Sequence, residues 1–297
     1  LGHVMQHGGK DTLNLRPRKG DETRSAGYAA CVDSTISLGN MMTSLMIEQF
    51  TCRQDNFGVI LHDPLTGETA SIDAPDGSRI AGRLGDDGWK LTHLFITHHH
   101  PDHVEGIPAL VASYSPQVIG PDAEASRISG LTRTVSDGGT FEFAGRAVEV
   151  ISTPGHTSGH VCFYIPDEAL LFAGDTLFAL GCGRLFEGSP ADMFGSLNRL
   201  GELPDETRVY CGHEYTQANG RFAISVDPDN ETLAKRIEEI ADLRSRRLPT
   251  LPTTIGFEKR TNPFMRTGDT AIRKQLGMES SSDLEVFTEL RRRKDSF

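Results

Sequence analysis

The sequence contains a dense cluster of potential metal ligands at residues 97–103, which read THHHPDH. The cluster follows an apolar run at residues 94–96, so it lies where a buried strand would open into a loop. Side chains alternate along an extended strand end, so His98 and His100 can face one ion while His99 points away. Imidazole and carboxylate groups bind zinc, iron or manganese, and the absence of cysteine from the cluster favours a catalytic site over a closed structural zinc site.

Three further segments place a potential ligand directly after an apolar run. They are TPGHTSGH at residues 153–160, GDT at 174–176 and GHE at 212–214. Loops at strand ends commonly build functional sites, because rigid strands position side chains from distant parts of a chain. The cluster and these segments supply seven candidate ligands, which are enough for two ions and argue against an incidental histidine tract. The candidates are His98, His100, Asp102, His103, His156, Asp175 and His213.

Short apolar runs that are typical of β-strands must position these ligands. The runs lie at residues 59–62, 70–73, 94–97, 118–119, 148–152, 161–165, 170–172 and 209–211. Glycine-containing turns at Asp76, Asp137 and Ala144 suggest hairpins, so we expect mixed, partly antiparallel sheets. No glycine-rich phosphate loop follows a strand, and the pattern therefore predicts α/β layering without a doubly wound sheet.

The pattern changes after Tyr215, where the strand signals stop. Apolar residues at helical spacing predict a helix over residues 231–247, which Pro249 would end. A final helix is predicted to begin at Ser282, because a glutamate three residues later completes a capping-box pattern. We therefore expect a smaller helical domain over residues 215–297.

Composition excludes several classes of partner. A formal net charge of −11 disfavours nucleic acid and anionic membranes, and no apolar run approaches the ~20 residues of a membrane-spanning helix. The five cysteines are odd in number and never spaced C-x-x-C, which fits neither a disulfide framework nor a thiolate zinc site. We expect a cytoplasmic monomer with no nucleic-acid or membrane partner.

Residues 1–45 differ in composition from the rest, since they mix basic and acidic residues with little periodicity. They lack the compact apolar stretch of a secretory signal and are too acidic for a transit peptide. We expect a leader that is disordered or of upstream or artificial origin.

The order of the candidate ligands, H-x-H-x-D-H followed by single His, Asp and His residues, resembles the metallo-β-lactamase superfamily. The resemblance implies an αββα sandwich over residues 46–214, followed by the helical domain, which would contribute to substrate binding. It also implies two divalent ions, expected to be zinc, with iron or manganese as alternatives. Asp102 and Asp175 are expected to take part in catalysis. The implied ligands are His98, His100 and His156 for one ion, Asp102, His103 and His213 for the other, and Asp175 bridging both.

Motifs beyond the ligands resemble the glyoxalase II (hydroxyacylglutathione hydrolase) family. They are GCGRLFEG at residues 181–188, YCGHEYT at 210–216, TNPFMR at 261–266 and RRRKDSF at 291–297. The resemblance spans residues 47–297 and implies that four residues hold glutathione, namely Arg184, Tyr215, Arg291 and Lys294.

The charge of glutathione agrees with this assignment, because its two carboxylates require a focused basic patch on an acidic protein. Arg291 and Lys294 are three residues apart and would share a helix face. Arg292 and Arg293 are excluded, since basic residues are common at helix ends. The sequence departs from many relatives at Arg184, where they have lysine, and from some at residue 186, where phenylalanine replaces tyrosine.

The resemblance implies a metal-dependent thioesterase that converts S-(2-hydroxyacyl)glutathione, such as S-D-lactoylglutathione, to glutathione and a 2-hydroxy acid in methylglyoxal detoxification. The expected nucleophile is a hydroxide held between two ions, because coordination lowers the pKa of water from ~15.7 toward ~7. A thiolate leaving group with a pKa near ~8.5 needs no proton donor, which favours thioester over amide substrates.

Other functions remain open at this point. An iron-dependent persulfide dioxygenase of the same superfamily shares the H-x-H-x-D-H cluster, but the helical C-terminal region argues against it. A class B β-lactamase would normally contribute a cysteine ligand. A non-catalytic metal-binding protein would be expected to lack some ligands, whereas all seven are present.

Overall fold

Two six-stranded sheets form the centre of the computed structural model, which describes residues 44–297. In the first sheet, the first three strands are antiparallel and the remaining three continue in parallel. Its strands are adjacent in chain order: β1 (Met46–Cys52), β2 (Asn56–His62), β3 (Thr69–Ile72), β4 (His93–Phe95), β5 (Gln117–Pro121) and β6 (Arg133–Val135).

The second sheet and a small hairpin follow in the chain. They comprise β7 (Thr140–Phe143), β8 (Arg146–Ser152), β9 (Val161–Ile165), β10 (Leu170–Gly174), the hairpin of β11 (Leu177–Phe178) and β12 (Gly181–Cys182), and then β13 (Arg208–Cys211) and β14 (Thr253–Thr254). The spatial order is β7-β8-β9-β10-β13-β14, and only the pair β10 and β13 is parallel. Strands β8, β10 and β13 therefore run in the same direction, so their carboxyl ends lie at one edge of the sheet.

Nine α-helices lie within residues 44–297, together with three short 3₁₀ helices at Asp122–Glu124, Pro166–Glu168 and Pro263–Met265. None of the helices in this part of the chain is long and apolar enough to cross a membrane. The α-helices are α1 (Gly77–Asp87), α2 (Pro101–Val104), α3 (Ile107–Tyr114), α4 (Pro190–Gly201), α5 (Thr216–Val226), α6 (Glu231–Ser245), α7 (Ile255–Thr261), α8 (Thr270–Leu276) and α9 (Asp283–Asp295).

The hydrophobic core has three main layers, which confirm the predicted αββα sandwich. Between the two sheets, Phe95 of the first sheet packs in one buried cluster with Phe163 and Phe172 of the second sheet. Helices α1 and α3 cover the outer face of the first sheet, where Ile80 is buried, and the C-terminal helices pack on the outer face of the second, where Phe287 is buried. Apolar side chains thus fill both faces of each sheet, as burial of strands requires.

Each of the eight apolar runs predicted as strands overlaps an observed strand, but two of the predicted hairpin turns are wrong. Asp76 accepts a hydrogen bond from the Arg79 amide at 3.0 Å and caps α1, since Asp is a favoured N-cap before a helical pattern. The turn at Asp137 joins β6 of the first sheet to β7 of the second. The turn at Ala144 and Gly145 does form a hairpin, between β7 and β8.

The predicted C-terminal helices are confirmed, with α6 ending two residues before its predicted end and Ser282 forming the predicted capping box of α9. The expectation that strands stop after Tyr215 is wrong, because the two-residue β14 pairs with β13 through backbone hydrogen bonds. Residues 1–43 of the predicted leader lie outside the described residues. The domain boundary between residues 214 and 215 stays a prediction.

A buried ionic contact connects the C-terminal helices to the sandwich. Arg236 of α6 donates from Nη2 to Glu258 Oε1 of α7 at 2.5 Å, and Glu258 is fully buried. The other oxygen, Oε2, accepts hydrogen bonds from the Leu180 amide at 2.8 Å and from Asn262 Nδ2 at 3.0 Å. One carboxylate therefore holds together α6, α7 and the β11–β12 hairpin.

Replacing Arg236 with Met should lower the free energy of unfolding by about 3 to 5 kcal/mol, because Glu258 would stay buried without its charge partner. The double variant Arg236→Met/Glu258→Gln should regain most of that loss, since a neutral amide replaces the unpaired carboxylate. Urea unfolding followed by fluorescence measures both. A single variant as stable as the wild type would contradict this account of the contact.

Candidate metal centre

All seven ligands predicted from the sequence lie at one edge of the sandwich. The segment at residues 98–103 follows β4 and enters the first turn of α2, while the other three ligands follow β8, β10 and β13. Strands β8, β10 and β13 run in the same direction, so their ends deliver side chains to one place. The side chains form three overlapping groups whose ligand atoms lie within 4.8 Å of one another: His98, His100 and His156; His98, His103 and Asp175; and Asp102, His103 and His213.

The first group consists of three imidazoles. His100 Nδ1 lies 3.1 Å from His98 Nε2 and 2.9 Å from His156 Nε2. Burial, followed by neighbouring imidazoles, lowers the pKa of His98 well below its ordinary value and lowers the pKa of His100 to about 4. These side chains are therefore neutral at pH 7, which is the form of histidine that binds metal.

The group of Asp102, His103 and His213 combines two imidazoles with a carboxylate. His213 Nε2 lies 3.3 Å from Asp102 Oδ2, and this hydrogen bond holds the pKa of Asp102 far below its usual range. Burial lowers the pKa of His213, but the carboxylates of Asp175, Asp102 and Asp55 outweigh burial and raise it to about 11. This part of the cluster therefore attracts positive charge.

Asp175 lies between the three-histidine group and the group of Asp102, His103 and His213. Its Oδ2 atom is 3.4 Å from His156 Nε2 and 3.3 Å from His213 Nε2. Burial raises the pKa of Asp175, but the charges of His103 and His213 lower it far below its ordinary value, so the side chain is ionised. This position is compatible with a bridging role, which stays a prediction.

Two buried atoms test whether the cluster fits metal ions. His103 Nε2 and Asp175 Oδ1 are buried, lie 3.5 Å apart and make no hydrogen bond within the described part of the chain. Leaving such atoms unsatisfied costs about 1 to 3 kcal/mol each, so they need a further partner. A divalent cation would satisfy both atoms, and the donor set of imidazoles and ionised carboxylates suits one.

Three residues that the sequence reasoning missed orient the ligands through hydrogen bonds. Asp73 Oδ2 lies 2.8 Å from His103 Nδ1, and Asp55 Oδ1 lies 3.0 Å from His213 Nδ1. The side chain of Asn56 donates to Asp102 Oδ2 at 3.0 Å. Such partners fix the orientation of metal ligands. The only sequence signal was the position of Asp73 at the end of a predicted strand.

The remaining two histidines of the ligand segments lie outside the three groups. His99 turns away from the cluster, and its Nδ1 atom lies 2.7 Å from Glu124 Oε2. His160 Nε2 accepts a hydrogen bond from the Asp175 amide at 3.1 Å. His160 is fully buried, and this hydrogen bond supports the loop that carries Asp175.

Gly212 allows the β13 loop to approach the cluster. A Cβ atom at this position would lie 2.5 Å from Asp175 Oδ1 and 2.8 Å from His103 Cε1. No side chain fits there without displacing a ligand. The glycine before His213 is therefore part of the geometry of the cluster.

A cavity of about 580 Å³ opens beside the cluster and contains all four predicted substrate-binding residues in its wall. Tyr215 stacks on the His213 ring, with the two ring centroids 4.7 Å apart. The Arg184 side chain is 60% exposed, and Lys294 Nζ lies 5.8 Å from the ring centroid of Phe222. The structure thus brings the predicted residues to one cavity, while their roles stay predictions.

Arg291 differs from the others because it is 95% buried and uses most of its donors within the protein. Its Nη1 atom donates to the Cys182 carbonyl at 3.0 Å, and Nη2 pairs with Asp295 at 2.7 Å. Only Nε has no partner in the described structure. The contacts of Arg291 therefore support the cavity wall next to Arg184.

Comparisons with known proteins agree with this geometry. The profile described as the metallo-beta-lactamase superfamily matches residues 54–213, and that of the hydroxyacylglutathione hydrolase C-terminus matches residues 214–297. The hydroxyacylglutathione hydrolase of Rhizobium meliloti (strain 1021) is 57% identical over 256 residues, covering 86% of this chain and all of the relative. That of Brucella anthropi is 54% identical over 260 residues, covering 88% of this chain and all of the relative.

Among solved structures, ETHE1 from Myxococcus xanthus has a TM-score of 0.60 and 24% identity, covering 83% of this chain and 90% of that one. At this level of identity the likeness shows the fold alone.

Replacing Asp175 with Ala should remove bound metal and turnover of the expected thioester together, because the carboxylate lies within 3.4 Å of both His156 and His213. Loss of a supporting partner alone typically costs about 10- to 100-fold in metal affinity or activity, so we expect at least the upper end of that range. Elemental analysis and a thiol-release assay measure the two quantities. The surface variant Asp242→Ala is the control, and retention of both quantities by Asp175→Ala would refute the assignment.

Proposed function

Because the chain belongs to the hydroxyacylglutathione hydrolase family of the metallo-β-lactamase superfamily, we propose that it hydrolyses S-(2-hydroxyacyl)glutathione, such as S-D-lactoylglutathione, to glutathione and a 2-hydroxy acid. The observation that supports this most directly is a cavity whose wall includes both candidate metal ligands and cationic side chains. The relatives match over their full length, which supports transfer of the whole activity.

The seven clustered side chains are proposed to hold two ions, since the three groups share His98 and His103, and Asp175 lies close to both His156 and His213. When bound, such ions supply an activated water and polarise the thioester carbonyl. Zinc is the proposed metal, with iron or manganese as alternatives, because imidazole and carboxylate donors suit all three. Asp102 and Asp175 act in catalysis as ionised ligands that keep the ions at the reacting edge of the cavity.

Lys294 and Arg184 are proposed to bind the glutathione carboxylates. The chain carries a net charge of −11, so an anionic substrate needs local cations. Burial, followed by the charges of Arg291 and Arg221, lowers the pKa of Lys294, and a bound carboxylate would stabilise its charged form. The exposed guanidinium of Arg184 can form a bidentate contact.

Tyr215 and Arg291 are proposed to complete the glutathione site in different ways. Burial, followed by the carboxylates of Asp55 and Asp175, raises the pKa of Tyr215, so its hydroxyl stays protonated and can donate to the substrate. Arg291 holds the carbonyl of Cys182 and offers only its Nε atom to a further partner. Its larger contribution is therefore to fix the wall that carries Arg184.

The proposed setting is the cytoplasm, and the proposed state is a monomer. In the described part of the chain the cysteines are unpaired and buried, which supports a reducing compartment. The dioxygenase alternative has no support from the solved structures, since a likeness at 24% identity shows the fold alone.

Purified protein should release thiol from S-D-lactoylglutathione, and a chelator should abolish the release. Acetyl-coenzyme A should react far more slowly, because it lacks the glutathione carboxylates that the basic residues bind. A thiol-reactive dye follows both reactions. Absence of release by a metal-replete sample would refute the substrate while leaving the fold unaffected.

Replacing Lys294 with Gln should raise KM for S-D-lactoylglutathione about 10- to 100-fold, which corresponds to the ~1.5 to 3 kcal/mol of a hydrogen bond to a charged group. The turnover number kcat should change less than about twofold, since Lys294 would bind the glutathione part equally in the bound substrate and in the transition state. Arg292→Gln is the matched control, because Arg292 lies on the same helix and pairs with Glu289 at the surface. Equal KM values for the two variants would contradict the assignment of Lys294.

A further inference from the structure

Glu124 connects the two loops that carry the three-histidine group. It ends the 3₁₀ helix after β5, and its side chain is 1% exposed. One loop follows β4 of the first sheet, and the other follows β8 of the second sheet. The carboxylate therefore lies between segments that belong to different sheets.

Both carboxylate oxygens of Glu124 accept hydrogen bonds from these loops. Oε2 accepts from the His99 amide at 2.6 Å and lies 2.7 Å from His99 Nδ1. Oε1 accepts from the Thr157 hydroxyl and from the Gly159 amide at 3.2 Å. A Cβ atom at Gly159 would lie 2.5 Å from Glu124 Cγ, so this glycine leaves the room that the contact needs.

The chemistry of the four partners requires a carboxylate. The two amides can only donate, and the Thr157 hydroxyl and the His99 ring donate in the arrangement observed. A glutamine would direct its NH₂ group at one pair of donors and leave at least one buried amide unsatisfied. Because charge-assisted bonds are also stronger than neutral ones, the isosteric amide is a poor substitute.

The contacts of Glu124 lie directly beside the three histidines of the group in sequence. His99 stands between two of the ligands in sequence, and Thr157 directly follows the third, His156. Across the two loops, His100 Nδ1 lies only 2.9 Å from His156 Nε2, and within the β4 loop it lies 3.1 Å from His98 Nε2. A small separation of the loops would widen the distance between His100 and His156, and metal affinity depends on such geometry.

We propose that Glu124 is a positioning residue that sets the affinity of the three-histidine group for its ion by holding the β4 and β8 loops together. It is buried behind the loops, so it acts through His99 and Thr157 and does not touch the substrate. The inference rests on the proposed metal-dependent function and adds a residue outside the ligand set.

The test compares zinc binding by metal-free wild type and by Glu124→Gln, using competition with a chromophoric chelator. Binding of one ion should weaken about 10- to 100-fold, while the other ion binds as in the wild type. Thiol release at low zinc should fall accordingly, and excess zinc should restore it with KM for the thioester unchanged.

Asp63→Asn is the matched control for a general loss of stability. Asp63 is equally buried and accepts hydrogen bonds from the Leu65 amide and from Arg146. It comes directly after the last residue of β2, whereas Asn56 is the first residue of that strand and lies at the end near the metal centre. This variant should unfold at a lower temperature and bind zinc as the wild type does. Equal zinc loss in both variants would overturn the proposal.

Thr157→Val removes a single donor and decides the question if Glu124→Gln does not fold. It should weaken binding of one ion several-fold, and unchanged binding would overturn the proposal. Unchanged binding by a folded Glu124→Gln protein would do the same while leaving the proposed function intact. Absence of zinc binding by the wild type would overturn the proposed function together with the inference.

Discussion

Clustering of five imidazoles and two carboxylates, five of the seven side chains buried, at one edge of the sandwich is the constraint on which the rest of the structure depends. Polar groups of this kind are costly to bury unless each finds a partner, and like-charged neighbours add repulsion. The cluster offsets the cost by keeping its three-histidine group neutral and by placing Asp175 against His103 and His213. The remaining unsatisfied atoms, His103 Nε2 and Asp175 Oδ1, are those that a cation would satisfy.

Backbone hydrogen bonds between the two sheets hold the ligand loops in place. The Val161 amide donates to the Thr97 carbonyl at 3.0 Å, and the Phe57 amide donates to the Gly212 carbonyl at 2.8 Å, so backbone bonds join the sheets directly at the ligand loops. The loops after β4 and β13 are therefore anchored both at their own strand and at the opposite sheet. Side-chain carboxylates such as Glu124 and Asp73 then adjust the orientation of individual rings.

The C-terminal helices add what an acidic sandwich lacks, namely a cationic wall beside the reacting edge. Helix α9 contributes Lys294 to the cavity and uses Arg291 to hold the neighbouring segment at Cys182. The buried pair of Arg236 and Glu258 keeps the helices in place through the β11–β12 hairpin. The candidate metal ligands thus follow strand ends, whereas Arg291 and Lys294, two of the residues proposed to bind the substrate, lie on a helix.

The sequence by itself determined the seven ligand candidates, most of the strands and both main C-terminal helices, because local spacing and periodicity encode which side chains share a face. Family motifs added the residues that we propose to bind glutathione. Only the tertiary structure decided that Asp55 orients His213, 158 positions away, and that Arg291 is buried. Such pairings depend on how sheets and helices pack, and short-range patterns contain no information about partners that only packing brings together.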